Sequence, residues 1–117
     1  MEQLKQIESL HGLKPGLVKQ ANETTDKISM PSDNKGPLQG LRTVATSSVC
    51  VEEIENWLRY QAGRSASGWR PNQADGVITG MLAAANKAKA VGVPEMDAVR
   101  LFVGYLVRAV LAKKGAQ

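Results

Sequence analysis

One cysteine, one histidine and five aromatic side chains are all that this 117-residue chain holds of the residue types behind most catalytic and metal chemistry. The lone Cys50 has no partner in the chain for a disulfide. Together with His11 it falls short of the four nitrogen or sulfur ligands that a structural zinc site takes. With a single imidazole and no convergent acid–base pair, an enzyme is the least expected class, and no cofactor is expected. No run approaches the roughly 18 apolar residues of a membrane span. The start MEQLKQIE lacks the basic and then apolar regions of a leader, so the expected location is the cytoplasm with no membrane partner. Strand signals, too, are almost missing.

What remains is ordinary for a globular chain. Apolar residues make up 43% and charged residues 22%, and the length allows one compact domain. Charge is unevenly spread. Residues 1–58 carry net −2, whereas residues 59–117 carry net +6, so a polyanion would meet the C-terminal half.

Helical periodicity dominates, and the expected fold is an all-α, single-domain bundle of four to five helices. Leu4, Ile7 and Leu10 mark a short first helix that Gly12 and Pro15 end; Leu17, Ala21, Thr24 and Ile28 mark a second, over about 16–29. Residues 30–48 read as an irregular loop, broken by Pro31, Gly36, Pro37 and Gly40, and either a flexible surface segment or an ordered partner-binding arm. The core helices are expected at about 49–62, 71–91 and 94–114. Ser48 would cap the first of them, with Glu52, Glu53 and Glu55 at its positive end, and Gly63 would stop it. Pro71 and Pro94 suit the first turns of the other two. The last helix is apolar nearly all round, which places it either at the centre of the bundle or against another chain.

Three groups of residues are candidates for function. Arg100, Gly104 and Arg108 share one side of the last helix, and the two guanidinium groups could bridge neighbouring phosphates, or form a solvated edge. In the stretch 63–70, Arg64, Trp69 and Arg70 stand among glycine and serine, a surface suited to phosphates and an unstacked base unless Trp69 is a lid on the core. Lys87 and Lys89 belong to the same field or compensate a helix dipole. Finally, Gly76 and Gly80 form a GxxxG face, continued by Ala83, where another helix or chain could pack closely, and Tyr105 joins them as an interface residue. Cys50 reads as a small apolar side chain.

The segment LRYQAGR (58–64) and the later segment LFVGYLVRAVLAKKG (101–115) resemble the small α-helical subunit of type III CRISPR effector complexes. The matching positions are Tyr60, Ala62, Gly63 and Arg64, then Phe102, Tyr105, Val110, Lys114 and Gly115. Leu111, Ala112 and Lys113 stand where that family has more aromatic and histidine character. The resemblance implies a non-catalytic subunit of an RNA-guided antiviral assembly, present in several copies and holding the guide–target duplex by its backbone through Arg64 and Lys114. Other protein subunits, and self-association, are implied partners. The competing expectation is a helical protein-interaction module, such as a phage or mobile-element inhibitor or adaptor, that works through Gly76, Gly80 and the last helix without nucleic acid.

Overall fold

The computed structural model describes residues 2–28, 35–64 and 67–115, with side chains over 8–28, 36–64 and 67–112. Five helices account for the fold, and no strand occurs among the described residues: α1 (Glu2–Ile28), α2 (Lys35–Ser47), α3 (Val51–Ala62), α4 (Pro71–Ala90) and α5 (Glu95–Gly115). The expected all-α bundle is therefore present, with its last three helices close to where periodicity puts them.

Two expectations about the helix boundaries are corrected. Gly12 and Pro15 do not end a first helix; α1 runs through both. Proline removes one helical hydrogen bond, that to the His11 carbonyl, but His11, Gly12 and Pro15 all face solvent, where water serves that oxygen. Burial of Leu17, Ala21 and Ile28, with Leu10 and Leu13 packed alongside, holds the helix together across the break. The threonines that argue against helix here are also accommodated. Buried Thr24 and Thr25 donate their hydroxyls to the carbonyls of Gln20 and Ala21, each at 2.9 Å.

The second correction is α2, which occupies most of the segment expected to be irregular; residues 29–34 lie outside the described residues. Pro37 is only the third residue of α2, where backbone N–H groups have no intrahelical acceptor and its missing donor costs nothing. Leu38, Leu41 and Ala45 then bury one face. Gly40 has a packing reason: an added Cβ would lie 2.9 Å from Trp57 Cζ2, so the indole occupies the space a side chain would need.

α5 touches all four other helices, while α1 meets only α4 and α5. The all-round apolar character of α5 is thus explained by a central position, with Phe102, Val103 and Leu106 fully enclosed and Leu101 and Tyr105 half-buried against the core. The connection to α4 is a tight turn in which Val91 and Val93 donate to the Ala88 carbonyl at 3.1 and 2.9 Å. Gly92 takes φ 74° there, the left-handed conformation that glycine adopts without strain.

The Gly76/Gly80 face is where other helices of the same chain pack closely, which corrects only its reading as a surface for another chain. A Cβ at Gly76 would run into Ile28 Cγ2, and one at Gly80 into Phe102 Cζ and, at 2.8 Å, Thr24 Oγ1. The two glycines let α1 and α5 close onto α4, with Gly76 opposite Ile28, Gly80 opposite Thr24 and, further along, Lys87 opposite Gly16. These pairings make α1 antiparallel to α4. Ala83 is half-buried on the same helix.

Two glycine substitutions should therefore move stability in opposite directions. Gly80→Ala overfills the α1–α4–α5 junction and should cost about 1–3 kcal/mol. Gly104→Ala meets nothing within 4 Å and should add up to about 1 kcal/mol through helix propensity. Urea unfolding midpoints of the two variants check both.

Candidate nucleic-acid interface

The basic residues of the C-terminal half do not form one set; the fold sorts them by what lies opposite. Arg100 is committed to the scaffold. Its Nε donates to the Ala45 carbonyl at 3.2 Å and its Nη2 to the Ser48 carbonyl at 2.8 Å, while Nη1 stands 3.9 Å from Asp97. These carbonyls lie at the C-terminal end of α2, where backbone acceptors lose their helical partners, so Arg100 acts as a cap delivered from α5. This corrects its pairing with Arg108 as a phosphate bridge: Arg108 is exposed with no acidic partner among the described residues, but Arg100 is already engaged.

Lys87 is likewise held between helices, with Nζ 3.5 Å from the Gly16 carbonyl of α1. Lys89 pairs with Glu95 at 3.2 Å across the α4–α5 turn. The Lys114 side chain lies outside the described residues.

Trp69 is a core residue, which corrects its assignment as a base-stacking surface. Only 4% of it is accessible, and its ring meets Trp57 edge-on with centroids 6.3 Å apart. Its Nε1 finds no acceptor among the described residues. The described residues around it are tied by hydrogen bonds. Ser67 Oγ donates to the Gln61 carbonyl and accepts from the Trp69 N–H at 3.1 Å. The Arg64 N–H reaches the Gln61 carbonyl at 3.0 Å. Gly63 ends α3 with φ −79°, right-handed, so the stop does not depend on glycine's freedom.

The corner between α3 and α4 is described at 63–64 and 67–70, with Arg64 just after α3 and Arg70 just before α4. Both side chains are exposed, and neither has an acidic partner among the described residues. Arg64 extends along the end of α3, with its guanidinium carbon 5.6 Å from the Tyr60 ring centroid and Nη1 3.4 Å from Gln61 Oε1. Arg70 precedes α4, its backbone N–H donating to Gln73 Oε1 at 3.0 Å, the reach-back half of a capping box. Arg59 is nearby but balanced, 3.7 Å from Glu55 and 3.5 Å from Asp75. Tyr60 carries neither charge nor indole, yet it is exposed beside Arg64. Its position two residues after buried Leu58, and so on the opposite side of α3, is the signal that marks it as exposed.

At the other end of α3, Cys50 rather than Ser48 occupies the cap position, half-buried, with Sγ 3.8 Å from Glu53 Oε1. Ser48 is buried beneath, and Glu53 satisfies the Val49 N–H at 3.0 Å. No group of three or more His, Cys, Asp or Glu side chains among the described residues could hold a metal ion, and no described helix is long and apolar enough to cross a membrane.

Removing Arg100 leaves two helix-end carbonyls without a donor, so Arg100→Met should cost about 1–3 kcal/mol of stability. Arg108→Met should stay within about 0.5 kcal/mol of wild type; thermal melts of the two variants separate the scaffold arginine from the surface one. Compared with models of protein families, with curated proteins and with solved structures, the chain has no match, and the reading of this corner rests on its geometry.

Proposed function

We propose that the chain is a non-catalytic, nucleic-acid-contacting subunit of a larger assembly, with the α3–α4 corner as its contact point. The single observation that carries this reading is the exposure of Arg64 and Arg70, without acidic partners among the described residues, on either side of a hydrogen-bonded corner. Guanidinium groups presented in this way suit phosphate oxygens, which they contact without regard to base sequence. Arg108 adds a further exposed cation on α5. The resemblance of 58–64 and 101–115 to the small subunit of type III CRISPR complexes supports the same reading, since Arg64 is the position it assigns to backbone contact. It makes a guide or target RNA in an RNA-guided antiviral complex the specific partner proposed.

The interaction-module alternative loses the feature that recommended it, because Gly76 and Gly80 are filled from within the chain by Ile28, Thr24 and Phe102. It becomes an outcome of the test.

Fluorescence anisotropy with a labelled single-stranded RNA of about 30 nucleotides, across a salt series, tests the proposal. Wild type should bind with affinity that falls steeply with salt. The double variant Arg64→Gln/Arg70→Gln should bind more weakly, with a log–log salt slope shallower by about 1.4, the loss expected for two single-strand phosphate contacts. Absence of wild-type binding at low salt, or an unchanged slope in the double variant, overturns the nucleic-acid reading in favour of a protein-interaction module.

A further inference from the structure

The fold disposes of its aromatic side chains very unequally. Phe102 and Trp69 are buried, Trp57 is packed on Gly40 and Trp69, and Tyr105 is half-buried against the core. Tyr60 is 62% accessible, the one aromatic ring that the core leaves in solvent. It stands one helical turn before Arg64, whose guanidinium lies over the ring. A cation against an aromatic face holds the ring in place and brings positive charge beside it.

We propose that Tyr60 turns the α3–α4 corner into a stacking platform for an unpaired base, so that the site takes single-stranded nucleic acid in preference to duplex. The inference rests on the phosphate-contact reading and puts an open strand in place of the duplex that the resemblance implies. An exposed tyrosine ring offers a flat apolar face that any base can cover, while Arg64 beside it and Arg70 just before α4 are exposed cations for phosphates of the same strand. Bases inside a duplex are already stacked and paired, and their faces are closed to such a ring. The charge of the corner selects for a polyanion; Arg59 contributes little to it, since Glu55 and Asp75 neutralise it. Selection for an open strand then comes from the ring. Trp69, the other aromatic in this stretch, cannot supply it from the core.

The experiment compares the full chain with Tyr60→Ala and Tyr60→Phe. The probes are a labelled oligouridine of about 30 nucleotides and an RNA duplex of about 30 base pairs, at fixed low salt and then across a salt series. Because Tyr60 lies outside the core, both variants should keep the wild-type helical circular dichroism and melting temperature. Tyr60→Ala should lose about tenfold in affinity for the single strand. Its duplex affinity and its salt slopes should not change, since the phosphate contacts remain. Tyr60→Phe, which keeps the ring and loses only the hydroxyl, should bind like wild type. Single-strand binding by Tyr60→Ala that equals wild type overturns the proposal, as does an equal loss on both probes. If wild type binds neither probe, the phosphate-contact reading itself has failed and the stacking proposal falls with it, a result visible before any variant is made.

Discussion

The close approach at Gly76 and Gly80 is the contact on which the rest of the molecule depends. Two missing side chains on one face of α4 make room for Ile28 and Thr24 from α1 and for the Phe102 ring from α5. That single junction ties together the three longest helices, sets α1 antiparallel to α4, and leaves the ring of Phe102 with no contact to water. Thr24 can sit there because its hydroxyl is already satisfied by the Gln20 carbonyl. Fixing α4 also fixes its first turn, which Arg70 immediately precedes.

Charge is organised by a related competition. A guanidinium or ammonium group that can reach an unsatisfied helix-end carbonyl or a carboxylate across a turn does so, and those that find none remain in solvent. Arg100 reaches the end of α2, Lys87 reaches the Gly16 carbonyl, and Lys89 and Arg59 meet acidic partners. Among the described residues of 59–117, Arg64, Arg70 and Arg108 are left. The net charge of +6 on residues 59–117 therefore overstates the cationic surface available to a partner, since several of those charges hold helices together. Exposed surface pairs such as Arg59 with Glu55 add little to stability, but they subtract from the field that a polyanion would meet.

Much of the fold is legible in local pattern. Ala74, Val77, Ile78, Met81 and Ala85 repeat at helical spacing between Pro71 and Gly92, and α4 occupies that interval. The stripe of Val99, Phe102, Val103, Leu106 and Val110 identifies α5 in the same way. α2 is illegible because Pro37 and Gly40 carry the composition of a loop. Its proline is harmless because it falls in the first turn, and its Gly40 is explained only by Trp57, seventeen residues later. α1 looks like two helices because Pro15 breaks the local hydrogen-bond pattern, and packing against α4 and α5 outweighs that cost. The candidate site was half legible: Arg64 and Arg70 stand out by charge, whereas the burial of Trp69 and the exposure of Tyr60 depend on packing.

The sequence alone determined an all-helical chain with an acidic first half, a basic second half and no residues to spare for disulfide or Cys/His zinc chemistry. Helix formation depends on neighbours within four residues, and composition needs no structure. Only the tertiary structure decided which of several equivalent side chains are available to a partner. Exposure is a property of what packs across from a residue, and for Trp69 that is Trp57, for Gly80 it is Phe102, and for Arg100 it is the end of a helix more than fifty residues earlier.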